Sequence, residues 1–267
     1  MSRVFDALRK SESLVSASAS SSDSFFSSLA TTHEMSRWTV EHIEVPADSR
    51  IVVHSDPHSP GGERFRQLKS YLKELRAETG LKTLLVTSAL PHDGKSTIAT
   101  NIATALAESG KFKVLLLEAD LRCPSLAGLF RIKQGLGLAD CLQGEAEPMS
   151  SIRRLEPLAI YFLSAGTYSP TPLELLHSER YLHLVQNLGA LFDWIVIDAP
   201  PLVPVADGRA IRKAVDGTIL VVRAGETSEE AIEEATRQLD GHTLLGIVLN
   251  CAERLEKLYD KYYGYSK

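Results

Sequence analysis

Six short runs, at positions 83–87, 114–117, 160–163, 194–197, 218–222 and 245–249, are apolar at nearly every position rather than at alternate ones. A strand of that kind must be covered on both faces, and helical stretches at 96–108, 173–188, 208–214 and 228–239 lie between the runs. This alternation constrains the chain to an α/β architecture, a doubly wound, mostly parallel sheet. Ahead of the first run, Phe65, Leu68, Leu72 and Leu75 make one apolar helical stripe that Gly80 ends.

Composition narrows the classes further. Of 267 residues, 44% are hydrophobic and 24% charged, enough for one sizeable core. A formal charge of -5 argues against nucleic acid as the main partner. Cys123, Cys141 and Cys251 show neither metal-ligand spacing nor a disulfide framework, which fits a reducing compartment. No apolar stretch approaches the roughly 18 to 20 residues of a spanning helix, and the N-terminus lacks the apolar core of a signal peptide. Any membrane role is therefore expected through a partner.

The chain divides into four expected segments. In residues 1–12, Val4, Phe5 and Leu8 sit at helical spacing behind Ser2, a candidate short docking helix. Residues 13–49 read as a flexible linker, because the stretch 11–32 holds ten serines and little apolar surface to offset ordering. Residues 50–252 form the folded domain, and 253–267 a tyrosine-rich tail.

The first apolar run leads into Ser88-Ala89-Leu90-Pro91-His92-Asp93-Gly94-Lys95-Ser96-Thr97, then a helix. This keeps the Gly-Lys-Ser end of a phosphate-binding loop, with Ala89 where the first glycine normally stands. A strand, turn and helix N-terminus aim backbone N–H groups and the positive end of the helix dipole at phosphate oxygens. Lys95, expected on an exposed loop, would bridge the β- and γ-phosphates, and the Ser96 hydroxyl would hold Mg²⁺. Two more strand ends carry acids: Glu118 and Asp120 after the second run, Asp198 after the fourth. Ligands of an open parallel sheet collect at the carboxyl ends of its strands, where carboxylates can hold Mg²⁺ or accept a proton. One such acid is often only a helix cap; three in order with the loop are harder to dismiss.

These features resemble the bacterial tyrosine kinases of polysaccharide export, whose catalytic domains are built on a phosphate-loop ATPase fold related to the ParA and MinD ATPases. The resemblance spans about residues 60 to 265 and rests on the loop Pro91 to Thr97, the stretch Leu117 to Pro124, Asp198-Ala199-Pro200-Pro201 and the tail. It implies ATP and Mg²⁺ as cofactors. Pro91, His92, Asp93, Gly94, Lys95, Ser96, Thr97 and Asn250 would bind nucleotide, with Asn250 near adenine. Ser96, Asp120 and Asp198 would serve the metal, and Lys95, Asp120 and Glu118 catalysis. It further implies a homo-oligomer, a membrane activator of the chain-length-regulator type, and a cytoplasmic location at the inner face of the plasma membrane through that partner.

Three positions depart from the family pattern. His92 stands where the family usually has glycine, Glu118 where it has aspartate, and Lys69 ends the subunit-packing pattern begun by Glu63 and Arg66, where arginine is usual. Tyr259, Tyr262, Tyr263 and Tyr265 fall within seven residues and match neither core period; beside the nucleotide motifs they read as phosphoacceptors. His177, His183 and His242 lack ligand spacing and are assigned nothing. The leading reading is an ATP-dependent protein-tyrosine kinase that phosphorylates its own tail, between subunits, and regulates exopolysaccharide synthesis or export. The alternatives are a ParA- or MinD-like partitioning or positioning ATPase, against which Leu90 replaces an early loop lysine, and a non-catalytic ATP-sensing adaptor.

Overall fold

A computed structural model describes residues 38–204, 211–239 and 244–252. Eight strands form one sheet: β1 Thr39–His42, β2 Thr83–Ser88, β3 Val114–Glu118, β4 Arg153–Glu156, β5 Ile160–Leu163, β6 Trp194–Asp198, β7 Gly217–Arg223 and β8 Leu244–Asn250. Their order across the sheet is β1-β4-β5-β3-β6-β2-β7-β8, and every pairing is parallel except β4 with β5. The expected doubly wound sheet is present. All six runs read from the sequence are strands; β1 and β4 are additional.

Nine α-helices are described: α1 Val52–Ser55, α2 Pro60–Thr79, α3 Lys95–Ala107, α4 Leu126–Leu129, α5 Leu138–Gln143, α6 Pro148–Ser151, α7 Pro172–His177, α8 Glu179–Leu191 and α9 Glu229–Gln238. Local chemistry sets their ends. Ser59 caps α2 by accepting from the Gly62 amide, Pro60 opens its first turn, and Gly80 at φ 77° closes it. The stretch expected as one helix at 173–188 is two, because Ser178 leaves the helical path at ψ 151° and accepts from the Tyr181 amide to start α8. Of the stretch 208–214, residues 208–210 lie outside the described residues; Arg212–Ala214 form a single 3₁₀ turn.

The folded unit begins earlier than position 50. Thr39–His42 pairs in register with Arg153–Glu156, so the last part of the segment read as linker is an edge strand. Of its four residues only Val40 is apolar, and they remain largely exposed, which leaves no continuous apolar run to read. Residues 1–37 and the tail 253–267 lie outside the described residues.

Two apolar clusters occupy the two faces. The larger joins α2 and α3 to the sheet through residues such as Leu72, Ile102, Val86, Phe162 and Trp194; the smaller packs Ala231, Ala235 and Leu239 against Leu220 and Val222. Fully burying a side chain of Leu or Phe size stabilises by roughly 1.5–3 kcal/mol, so the central strands, buried at every position, carry most of this. Asn101 ties α3 to the chain ahead of α2: its Nδ2 donates to Arg50 O at 2.8 Å and its Oδ1 accepts from Val53 N at 3.1 Å.

The connection leaving β2 runs to one side of it, toward β3, whereas the connection leaving β6 crosses to β7 on the other side. The carboxyl end of β2 is thus a topological switch point, where such sheets open a crevice.

Candidate active site

The loop after β2 fills that crevice. Gly94, at φ 98°, directly precedes the first residue of α3, and a side chain there would drive into the Asn250 amide. Both demands leave only glycine. His92 also has positive φ, 68°, the left-handed conformation that non-glycine residues rarely adopt. The loop is held from the β7–β8 side. Asn250 Nδ2 donates to Asp93 O at 2.8 Å, Thr227 Oγ1 donates to Asp93 Oδ1 at 2.8 Å, and Arg223 Nη1 donates to His92 O at 3.3 Å. Asp93 Oδ2 accepts from the Leu90 amide at 2.9 Å, so its side chain closes the loop on itself.

The acids stand on the other side. Glu118 and Asp198 are partners on the same rung of β3 and β6, and Val86 of β2 is the next neighbour of Asp198. Lys95 turns toward them: its Nζ lies 2.9 Å from Asp120 Oδ2 and 3.6 Å from Asp198 Oδ1, and donates to Ser96 Oγ at 3.3 Å. Its side chain is only 11% exposed, so the expected exposed lysine is instead a largely buried, paired one. Two carboxylates set against one loop lysine explain the inward turn. Burial alone would lower the Lys95 pKa, but the charges of Asp198 and Asp120 overcome it and hold the pKa above its usual value.

The three acids differ in environment. Asp120 is clamped by Lys95 and by the Cys123 amide, which donates to Oδ1 at 3.0 Å. Glu118 has both oxygens engaged: Oε1 accepts from the amides of Ser125 and Leu126, each at 2.6 Å, and Oε2 from that of Ala165 at 3.1 Å. Asp198 is fully buried, and neither of its oxygens accepts a hydrogen bond. Burial pushes its pKa up to about 6, only partly offset by the nearby charge of Lys95.

A buried carboxylate without hydrogen-bond partners is a costly arrangement that a bound cation would relieve. The donor set fits Mg²⁺, a hard ion that takes one or two carboxylates, a hydroxyl, water and phosphate oxygens rather than an all-protein cage. The structure therefore brings Lys95, Ser96, Asp120 and Asp198 together, with Glu118 behind them. Asn250 lies against the loop on the opposite side, and Pro91 is exposed at its tip. Beside Asn250 opens a cavity of about 640 Å³ whose walls include Thr97, Ile98, Phe65, Val248 and Arg223. The four tail tyrosines lie outside the described residues.

Sequence reasoning missed Arg223, Thr227 and Ser125. Ser125 donates to Ser96 Oγ at 3.0 Å and carries no motif signal. The Ser164-Ala165-Gly166 stretch also reaches the site, through the Ala165 amide.

A strand-loop-helix phosphate site at a switch point, with acids closing it from β3 and β6, defines a phosphate-loop nucleotide-binding domain. Its fold is also that of the MinD septum site-determining protein of Pyrococcus horikoshii in complex with Mg-ADP (TM-score 0.53, 22% identity, 65% of this chain and 71% of that one), a likeness of fold alone. The chain belongs more narrowly to the bacterial tyrosine-protein kinases. It is 31% identical to tyrosine-protein kinase YwqD of Bacillus subtilis over 217 residues, covering 80% of this chain and 90% of that protein. It is 33% identical over 234 residues to the succinoglycan biosynthesis transport protein ExoP of Rhizobium meliloti, 80% of this chain but 30% of that longer protein. The kinase domain of Escherichia coli tyrosine kinase ETK superposes with a TM-score of 0.72 at 26% identity, over 84% of this chain and 86% of that one. No protein-family model matches the chain.

Proposed function

We propose that the chain transfers the γ-phosphoryl group of ATP to tyrosines of its own C-terminal tail, in a neighbouring subunit, as part of the control of exopolysaccharide synthesis or export. The observation that carries this reading is the Lys95 ammonium set between Asp120 and Asp198 at the N-terminus of α3. Phosphoryl transfer needs positioning and charge neutralisation more than covalent chemistry, and these groups supply both. In the reaction the tyrosine oxygen bonds to phosphorus, the bond to the β-phosphate oxygen breaks, and the hydroxyl proton leaves to a carboxylate. Asp120 is the base that takes that proton, because the oxygens of Glu118 are held by three backbone amides.

Mg²⁺, when bound, would neutralise phosphate charge; Ser96, Asp120 and Asp198 would hold it. The loop amides from Asp93 to Thr97 would cradle the phosphates, and the rim of the cavity beside Asn250 would seat the base. The tail from position 253 supplies Tyr259, Tyr262, Tyr263 and Tyr265 as acceptors, and residues 1–12 serve as a docking element. The membrane contact runs through a separate activator of the chain-length-regulator type; among the described residues no helix is long and apolar enough to cross a membrane. Glu63, Arg66 and Lys69 of the subunit-packing pattern stand on α2, where Arg66 and Lys69 now pair with Glu108 of the same chain at 3.6 and 2.7 Å. Assembly would exchange these exposed pairs, which are individually weak, for contacts with the next subunit.

The test is incubation of purified protein with ATP and Mg²⁺, followed by intact mass and free-phosphate measurement. Addition of phosphate that disappears when the four tail tyrosines are Phe supports the reading. Free phosphate without labelled protein would replace it with a partitioning-type ATPase, and bound ATP that stays intact with a nucleotide-sensing adaptor.

A further inference from the structure

The acid at position 118 is set apart from its neighbours by what it touches. Asp120 meets the loop lysine directly, whereas Glu118 spends both oxygens on backbone amides of two different connections. One is the turn at Ser125 and Leu126, which opens α4; the other is the segment after β5. That turn carries the Ser125 hydroxyl, 3.0 Å from the Ser96 hydroxyl. A continuous path therefore runs from Glu118, through two short amide bonds to the turn, and from the turn to the side chain assigned to the metal.

We infer that Glu118 is a positioning residue: it fixes the Ser125 turn so that Ser125 orients the Ser96 hydroxyl for a divalent cation. Ser96 stands at the second position of α3, and its Oγ also accepts from Lys95 at 3.3 Å. A serine hydroxyl rotates freely unless partners hold it, and it ligates a cation only when a lone pair points the right way. Ser125 supplies a partner that does not move with α3, because its own amide is anchored to a rigid strand end. Hydrogen bonds to a carboxylate are about twice as strong as neutral ones, which makes the Glu118 anchor the firm end of the path. Ser125 itself is exposed, so its hydroxyl has no packing duty that would otherwise explain its contact with Ser96.

This inference rests on the proposed metal site, and the experiment separates the two. A fluorescent ADP analogue is bound to the wild-type protein and titrated with MgCl₂, giving the Mg²⁺ concentration for half-maximal binding; no turnover is needed. Ser125→Ala is expected to raise that concentration about 3- to 10-fold, the effect of one lost hydrogen bond, and Ser125→Thr, which keeps the hydroxyl, to restore it. Glu118→Gln should move it the same way, and the double variant no further than the larger single change, since both act along one path. Ser125→Ala with a wild-type Mg²⁺ titration, or additive effects in the double variant, overturns the inference while leaving the nucleotide site standing. A Glu118→Gln chain that loses phosphoryl transfer with its Mg²⁺ titration unchanged also overturns it, and makes Glu118 a catalytic acid or base. Should Glu118→Gln fail to fold, as circular dichroism would report, the exposed Ser125 pair of variants decides alone. A wild-type chain that binds no nucleotide removes the site itself, and this inference with it.

Discussion

The two flanks of the phosphate loop are built on opposite principles. On the β3–β6 flank, three buried carboxylates and a largely buried lysine are packed together, and one of the carboxylates, Asp198, accepts no hydrogen bond. On the β7–β8 flank, Thr227, Asn250 and Arg223 reach the loop through ordinary hydrogen bonds at 2.8, 2.8 and 3.3 Å, beside a largely apolar cavity. The first flank stores unfavourable electrostatics that a phosphate and cation would relieve. The second only holds the loop in shape. Chemistry and scaffolding are therefore separated across about one loop width, and substitutions on the two flanks should differ in kind as well as size.

Lys95→Ala should have the largest effect. It removes the charge meant for the phosphates, and phosphoryl transfer is expected to fall at least ~10²-fold, read by labelled ATP incorporation. It should also cost stability, because Asp120 and Asp198 would face each other without their shared cation. Breaking a buried pair by removing one partner costs on the order of 3 kcal/mol, seen as a lower urea midpoint. A Lys95→Ala chain as stable as wild type would show that the charged flank is well hydrated, and the contrast between the flanks would fail.

Asp198 gives the flank a pH signature. Its pKa rises from the usual 3.8 to about 6 on folding, so between those values the native state binds more protons than the unfolded chain. Stability is then greatest below pH 4 as far as this group is concerned, and is lost as pH rises through about 6. About two units amount to on the order of 3 kcal/mol. Comparing urea midpoints of wild type and Asp198→Asn from pH 4 to 7 isolates the group from other carboxylates. The difference should grow with pH in favour of Asn and level off above pH 6; a flat difference would mean that Asp198 is not desolvated. Mg²⁺ and nucleotide should reverse the sign, since they favour the ionised carboxylate.

Thr227→Val probes the scaffolding flank. It removes the bond to Asp93 and the one that Thr227 Oγ1 accepts from the Arg223 amide at 2.9 Å. Two modest bonds are worth ~1–2 kcal/mol, so nucleotide affinity should drop about 5- to 30-fold with no change in pH dependence. A pH profile that shifts together with affinity would show that the flanks are coupled rather than separate.

The same division explains what could be read from the sequence. Lys95, Ser96, Asp120 and Asp198 were legible because each is tied to a strand end or loop motif whose spacing is fixed by the fold. The central strands were legible because burial on both faces leaves continuous apolar runs. Thr227 and Asp93 are 134 positions apart, and no local pattern marks a threonine that will meet a loop aspartate only after β7 is paired. Ser125 was silent for the same reason. Glu118 was legible as an acid in the right place but not in its surroundings: its amide partners come from two separate connections, at 125–126 and 165. β1 escaped because an exposed four-residue edge strand needs no apolar run, and Ser178 was missed because the stripe on either side of it stays in helical phase.

His92 should show the smallest effect, and it tests the boundary between the flanks. Its φ of 68° costs a non-glycine residue ~1–2 kcal/mol, a cost that His92→Gly removes. Glycine also gives the unfolded chain more freedom, which returns ~0.5–1 kcal/mol in the other direction. The imidazole is exposed, and the contact from Arg223 is to the backbone oxygen, which glycine keeps. The net change in stability should therefore stay within ~1 kcal/mol of wild type, and nucleotide affinity within about 3-fold. His92→Ala serves as the control: it loses the imidazole but retains the Cβ and hence the strain. If affinity falls tenfold in both variants, the imidazole itself touches the nucleotide and His92 belongs with the chemical flank. If it falls only in His92→Gly, the loop depends on the stiffness that a side chain imposes at this left-handed position, and the departure from glycine is part of the scaffold.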